Sequence, residues 1–535
     1  MFDVAVVGFG PTGAVLAGLL AQAGLSVHVC DRLPGVYEIP RALAMDHEIM
    51  RVFQQLGLSD AIAPFCEPFT PSEYYGVDGQ LIRRMTMVAP PYPQGHVPSL
   101  VFSQPPLERA LRDRISRFPS VTLALETSLE SYVEHADHVQ LTLRTHGQTS
   151  KEVRARWLVG CDGGSSTVRS LAGITLEDLD FDEPWLVVDV MVNDQGLAKL
   201  PKVSVQYCEP DRPCTLVIGP GRHRRWEISL KEGEDPQLMA TPSETWRLLS
   251  RWITPEDGQL WRQSSYRFHA LVAQQWRQGR VFLAGDSAHM QPPFLGQGMC
   301  QGVRDAANLA WKLISIVQDL FLKERAEDLL NTYEQERKAH VIELTSRIKK
   351  VGEVICERDL DKARARDAKL LAECGGVVPD TPRQDVMPHL HAGMLSNQMS
   401  DGRGMLFPQP RLLDGGLLMD DVLGHGWRWV TDGEWQLTEL PPDWTVCDLT
   451  SQAQETLVHW IVCDVFAQAF IFQDFEVPSP TLHDVVHEQE VLIRTQSPLL
   501  NSLGCCIIVF LCFYDRLVLD SEIAKQFFQL LFRSM

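Results

Sequence analysis

What this 535-residue chain is short of narrows its class before any motif is read. Basic residues are outnumbered: 49 Lys+Arg stand against 69 Asp+Glu, for a net charge of −20. A field of that sign repels phosphate backbones, so a nucleic-acid partner is set aside. Cysteines are sparse and odd in number, 13 in all, single except for Cys505-Cys506 and without any CxxC pair. That excludes a disulfide scaffold and leaves no zinc spacing, so no metal site is expected and the thiols read as reduced and cytoplasmic. No apolar run approaches the roughly 20 residues of a membrane-spanning helix. The strongest, residues 503–514 (LGCCIIVFLCFY), reads as a buried or ill-formed element, with membrane-surface contact as the alternative. The start lacks a basic region and a cleavage site, which again points to the cytoplasm. Internal repeats and low-complexity tracts are missing as well.

What is present is a globular composition, 45% hydrophobic and 22% charged, in a chain long enough for three or four lobes of about 150 residues. Residues 3–8 (DVAVVG) form a short valine-rich run bounded by glycine, the pattern of a strand buried on both faces. Residues 11–23 are rich in Ala and Leu and read as a helix, and residues 26–30 read as a second strand closing on Asp31. The turn between the first strand and the helix is Gly8-Phe-Gly10-Pro-Thr-Gly13. Gly8 permits the tight turn, Gly10 lets a pyrophosphate approach the backbone, and Gly13 lets the helix pack close to the strand. Asp31 then stands where a carboxylate meets ribose hydroxyls. A strand, a glycine turn, a helix and an acid in this order predict dinucleotide binding.

Two further strand ends carry chemistry. Gly160-Cys-Asp162-Gly163-Gly164-Ser-Ser-Thr-Val-Arg169 follows an apolar strand and opens a helix. Gly285-Asp286-Ser-Ala-His289-Met-Gln-Pro-Pro293-Phe294-Leu-Gly296-Gln-Gly298 follows another and leads into a helix over residues 298–316. An Asp at such a strand end can hold polyol hydroxyls, and a helix beginning near Gly298 would direct its positive end at an anionic ligand. His289 reads better as a structural residue than as a general base. Residues 183–275 alternate in the manner of antiparallel strands, and residues 326–350 form a long charged helix.

On these motifs, with Pro40-Arg41-Ala42 and Gln104-Pro-Pro-Leu-Glu108 in support, the chain resembles the group A flavoprotein aromatic hydroxylases of the para-hydroxybenzoate hydroxylase-like fold. It is most similar to the 3-(3-hydroxyphenyl)propionate hydroxylase branch. The resemblance implies an α/β architecture: a Rossmann-like FAD-binding domain, an inserted α+β substrate domain with an antiparallel sheet, and a C-terminal thioredoxin-like region. The FAD-binding domain would take residues 1–72, 98–182 and 276–372, and the sheet domain residues 73–97 and 183–275. Residues 373–403 would be a linker, and 404–535 the C-terminal region. From about residue 461 that tail departs from the family, lacking its Arg-Pro-Asp-aromatic strand after His459-Trp460.

By the same resemblance, Gly8, Gly10, Gly13 and Asp31 would hold the ADP half of FAD, and Arg41 and Gln104 its pyrophosphate and ribityl region. Asp162 and Gly163 would serve both FAD and a passing NADPH or NADH, and Asp286 would bind the ribityl chain. The catalytic contribution would be a loop, Pro293, Phe294, Gly296 and Gly298, flanking the flavin ring, with no protein nucleophile. The implied reaction is hydroxylation of a phenolic substrate by O2 through a flavin C4a-hydroperoxide. A phenol of the 3-(3-hydroxyphenyl)propionate kind is one candidate substrate. Oxygen insertion into a larger polycyclic product, including Baeyer–Villiger chemistry, and a non-catalytic flavin-binding role are the alternatives. A phenol needs a hydrogen-bond acceptor beside its hydroxyl; Gln206, Tyr207 and Trp226 are candidates for the pocket, each also readable as plain packing. The cluster Arg222-His-Arg-Arg225 reads first as a solvated turn after Gly219-Pro-Gly221. No residue pattern selects an oligomeric state, and a homodimer stays open.

Overall fold

The computed structural model describes residues 1–147, 149–319, 323–395, 403–409, 411–412, 416–423, 428–431 and 445–448. The apolar stretch 503–514 and the anomalous tail from 461 lie outside the described residues.

Two large sheets organise these residues. In the first, the strands Val281–Leu283, Lys151–Gly160, Phe2–Val7, Val27–Cys30 and Val121–Ala124 run parallel in that spatial order. A hairpin of Thr127–Glu134 and Val139–Thr145 adds antiparallel strands on the lower half of Lys151–Gly160. The central strands are valine-rich because helices cover both faces. The helix Pro11–Gln22 is buried from Gly13 through Ala21, so its alanines and glycines let it lie close to the sheet and to the helix Gly298–Val317.

The second sheet is antiparallel at its centre, where Leu176–Val192 and Gly258–Ala273 pair along nearly their whole length. His223–Ser229, Cys214–Ile218 and Ser204–Tyr207 follow, then Ser72–Tyr75 and Leu81–Thr86 from an earlier part of the chain. Successive side chains point to opposite faces of a strand. Leu186, Val188, Val190, Leu216, Trp226 and Ile228 therefore share one apolar face, capped by Leu249 and Ile253. The opposite face carries Thr215, Asp189, Arg225 and Glu227, and it looks toward the first sheet. The long helix Ala326–Cys356 closes one end, packing Leu344, Ile348 and Val351 with Trp185 and Phe294.

The stretch expected as a linker, 373–403, is docked over its described part. Asp380–Pro382 adds an outermost parallel strand beside Leu81–Thr86. Arg383 donates to Leu295 O at 3.1 Å, and the Gln384 amide donates to Pro98 O at 3.2 Å. Glycine and proline do mark irregular backbone, but side chains such as Arg383 and Gln384 still tie that backbone to the body of the protein. Among the described residues eight cysteines are free, and no helix is long and apolar enough to cross a membrane.

Candidate functional site

Four strand ends fall in one row. Cys30, Val7, Gly160 and Leu283 are register partners across four neighbouring parallel strands. Backbone bonds continue the ladder past each end, from Gly8 N to Cys30 O, Cys161 N to Val7 O and Ala284 N to Gly160 O. Gly8, Asp31, Asp162 and Asp286, taken from sequence positions far apart, thereby converge on the carboxyl edge of the sheet, where open α/β sheets bind ligands.

A cavity of about 550 Å³ runs from this edge to the polar face of the second sheet. Gly8, Gly10, Asp31, Arg41, Gln104, Asp162, Gly163, Asp286, Pro293, Phe294, Gly296 and Gly298 all line it. Gly13 lies behind the wall: a Cβ there would sit 2.0 Å from Gly8 O, which is how this glycine serves close helix packing. At Gly8 φ is +101° and a Cβ would meet Cys161 O at 2.3 Å, so the tight turn excludes any side chain.

Several of these residues are engaged by the protein itself. Asp31 accepts from Phe9 N at 2.7 Å and Leu33 N at 2.8 Å, tying the glycine turn to the second strand. Gln104 accepts from the backbone N–H groups of Arg41 (2.8 Å) and Ala42 (2.6 Å), which fixes the segment carrying Arg41. Asp162 accepts from Thr167 N at 2.7 Å and from the Ser166 hydroxyl, capping the helix Thr167–Leu171. Phe294 sits edge-on to Trp185 and Phe181, each at 5.8 Å, so it is a packed wall of the cavity. His289 Nε2 donates to Asp305 Oδ2 at 2.7 Å and the ring stacks on Trp276, a buried structural arrangement.

Of the three pocket candidates on the second sheet, only Gln206 lines the cavity. Trp226 is fully buried on the opposite face, and the Tyr207 hydroxyl there accepts from Trp252 Nε1 at 3.0 Å. The basic cluster divides in the same way. Arg222 is exposed and pairs with Asp194, whereas His223 and Arg225 are buried on Asp189. The solvated-turn reading therefore holds for Arg222 and fails for its alternate neighbours. Burial pushes the Asp189 carboxyl up, but Arg225 and His223 more than offset this and hold it at about 2.

Sequence reasoning passed over Arg112, Glu227 and Arg383, all on the cavity wall. Arg383 is half-buried, lies 4.2 Å over the Phe69 ring, and has its pKa lowered by desolvation. The alternation of His223, Arg225 and Glu227 was the one available signal, and it puts all three on one face.

The residues fit a flavin dinucleotide. A Cβ at Gly10 would meet nothing within 4 Å, so the turn offers open backbone to a ligand. Arg112 lies 4.8 Å over Phe9, and its Nε and Nη1 are buried without hydrogen-bond partners. Both ends of the Gln291 amide are likewise unmatched. Buried polar atoms of this kind are normally satisfied. Burial raises the Asp286 pKa, with Asp305 adding to the effect and His289 and Arg41 opposing it. The first residues of the helix Gly298–Val317 border the same space.

Comparison with known proteins agrees with this fit. The FAD binding domain family model matches residues 1–347. The probable NADH-specific resorcinol 4-hydroxylase of Rhodococcus jostii (strain RHA1) is 37% identical over 436 residues, 81% of this chain and 79% of that protein. The 3-(3-hydroxy-phenyl)propionate/3-hydroxycinnamic acid hydroxylase of Escherichia coli (strain K12) is 32% identical over 439 residues, 79% and 76% of the two chains. The fold is shared with aklavinone-11 hydroxylase in complex with FAD and aklavinone, at a TM-score of 0.67 and 24% identity over 80% of this chain and 83% of that one. Identity of this extent over most of the chain leads to one assignment: the protein belongs to the FAD binding domain family and is a group A FAD-dependent aromatic hydroxylase, reduced by a nicotinamide co-substrate.

Proposed function

We propose that this hydroxylase uses NADH and O2 to hydroxylate a small phenol bearing a second substituent meta to its hydroxyl. The observation that carries the reading is the single cavity joining the four strand ends to the polar face of the second sheet. Two relatives support the substrate class. Resorcinol and 3-(3-hydroxyphenyl)propionate, in the names of those relatives, are both meta-substituted phenols. The word NADH-specific in the name of the first supports NADH over NADPH.

When bound, FAD supplies the chemistry the side chains lack, hydride acceptance and activation of O2. The chain's own work is placement. Gly8, Gly10 and Asp31 would receive the ADP half, with Arg41 and Gln104 at its pyrophosphate and ribityl region. Asp162 and Gly163 would border the path of the nicotinamide, and Asp286 would take ribityl hydroxyls. Pro293, Phe294, Gly296 and Gly298 would flank the ring. The start of the helix Gly298–Val317 presents backbone N–H groups and a partial positive charge to anionic character there. Phe294, Trp185 and Phe268 form an apolar cluster that keeps water from the reacting ring. Arg383 offers a cation to a substrate carboxylate or phenolate. Free thiols fit a cytoplasmic enzyme, and a homodimer is the assembly to test by light scattering.

The test is NADH oxidation by the FAD-loaded protein with resorcinol, 3-(3-hydroxyphenyl)propionate and a polycyclic phenol, with hydrogen peroxide measured in parallel. Stimulation by a meta-substituted phenol with little peroxide is expected. Stimulation by the polycyclic phenol alone would replace the substrate class, and stimulation by none would overturn the reading.

A further inference from the structure

Glu227 lies at the centre of the second sheet, on the strand His223–Ser229, and its side chain faces the cavity. It is only 7% exposed. Its carboxylate makes no hydrogen bond among the described residues, although donors surround it. The three nearest donors, on Thr215, Arg225 and Arg262, are committed elsewhere. Thr215, its cross-strand partner, donates its hydroxyl to Gln206 Oε1 at 2.5 Å. Arg225 is held by both oxygens of Asp189 and by the carbonyls of Pro40 and Arg41. Arg262 is spent on Pro40 O and the Tyr266 hydroxyl. The carboxylate oxygens open on the cavity without a protein donor, whereas a purely structural glutamate here would have taken one of those donors.

We infer that Glu227 is the catalytic residue that receives the substrate's phenolic hydroxyl, accepting its hydrogen bond and then its proton. This rests on the phenol reading above. In the step, the phenolic O–H bond breaks and the proton passes to a Glu227 carboxylate oxygen. The bonding electron pair stays on the phenolate oxygen and enriches the ring carbons ortho and para to it. No further reactant is consumed, and the proton returns to solvent after product leaves. A neutral phenol ionises near pH 10, so an ordinary carboxylate is a poor match for it. Burial raises the proton affinity of Glu227 and narrows that gap, with Asp189 adding to the effect and Arg225 and Arg262 opposing it. Those three, with Tyr266 and Arg41 at the cavity rim, are the titratable groups facing it from the packed strands and the 40–42 segment. Gln206, whose Nε2 has no hydrogen bond among the described residues, stands two strands away on the same row and can donate to a second substrate hydroxyl.

The experiment compares the full-length, FAD-loaded wild type with Glu227→Gln and Glu227→Asp, using resorcinol as the probe. Flavin absorbance reports folding and loading. Three readouts follow: aromatic product against peroxide, the ultraviolet difference spectrum of bound resorcinol, and the melting temperature across pH. In Glu227→Gln the phenolate band is expected to vanish and product formation to fall about 100-fold. The deficit should shrink as pH approaches the ionisation of free resorcinol, and Glu227→Asp should recover part of both signals. The melting curve gives a readout independent of turnover. A carboxyl whose folded pKa lies above its ordinary 4.5 loses stability as pH rises through that range. Glu227→Gln should thus melt above the wild type at neutral pH, with the gap closing on acidification. An unchanged phenolate band and unchanged coupled product in Glu227→Gln would overturn the inference while leaving the hydroxylase reading intact. If the wild type itself answers to no phenol, that reading fails first and takes this one with it.

Discussion

Arg225 grips both oxygens of Asp189 across adjacent antiparallel strands, Nε to Oδ1 at 2.7 Å and Nη2 to Oδ2 at 3.0 Å. Its remaining donors reach Arg41 O at 2.7 Å and Pro40 O at 3.2 Å. One guanidinium thus binds the second sheet to the segment that follows the first βαβ unit. Lysine keeps the charge but cannot make this fork. Arg225→Lys should cost about 1–3 kcal/mol and loosen residues 36–42, read by thermal melts and by proteolysis of that segment. Since Asp189 is held at about 2 against an ordinary 3.8, its stabilisation is present above the ordinary value. Wild-type stability should fall as pH drops from 3.8 toward 2, and an Asp189→Asn chain should lack that component.

The glycine fingerprint separates folding from binding. Gly10→Ala adds a methyl that meets no protein atom within 4 Å, so apoprotein stability should hold. FAD affinity should weaken at least about tenfold, or about 1.4 kcal/mol. Gly8→Ala, by contrast, should damage the apoprotein, because the new Cβ would lie 2.3 Å from Cys161 O at a φ of +101°. Titration of apoprotein with FAD beside thermal melts distinguishes the two.

Asp286 lines the cavity with its side chain open to it, and desolvation by the surrounding protein raises its pKa. A raised carboxyl loses stability as pH climbs through its folded value. Asp286→Asn should therefore leave the apoprotein as stable or more stable at neutral pH. Its FAD affinity should still drop by about tenfold, since a charged acceptor gives way to a weaker one. Fluorescence titration measures both effects; an affinity equal to wild type would remove Asp286 from the cofactor site.

Asp305 joins three elements, accepting from His289 Nε2 at 2.7 Å, Gly285 N at 2.9 Å and Arg337 Nε at 2.9 Å. Burial pushes its carboxyl up, but these partners prevail and lower it overall. Asp305→Ala strands a buried arginine and should cost about 3–5 kcal/mol, with FAD lost readily from a loosened Asp286 turn. Because the pKa is lowered, the difference from wild type should persist at neutral pH and fade only as pH falls below the ordinary 3.8.

The cofactor half was legible because its signals are local. A valine run, a glycine turn and an acid within residues 3–31 declare one βαβ unit, and Asp162 and Asp286 end strands of the same kind. The substrate half was not. Strand alternation puts His223, Arg225 and Glu227 on one face but cannot say which face meets the cavity. Tyr207 and Trp226 were consequently weighed as pocket residues although they pack on the far side with Trp252. Arg383 was hidden for another reason: it comes from an aperiodic stretch whose composition reads as linker, while its contacts lie far away at Ser72 and Leu295.

The outermost strand, Asp380–Pro382, pairs with residues 84–86, almost 300 positions earlier, and carries Arg383 into the cavity wall. During synthesis the glycine turn, its helix and the first strands have all left the ribosome long before this segment exists. The nucleotide end of the cleft can therefore organise early, whereas the enclosure around the aromatic substrate waits for one of the last long-range closures in the described chain. A nascent or truncated protein ending before residue 380 would be able to acquire flavin while its reaction chamber still stood open on one side, a stage at which reducing equivalents would drain to oxygen without reaching a phenol.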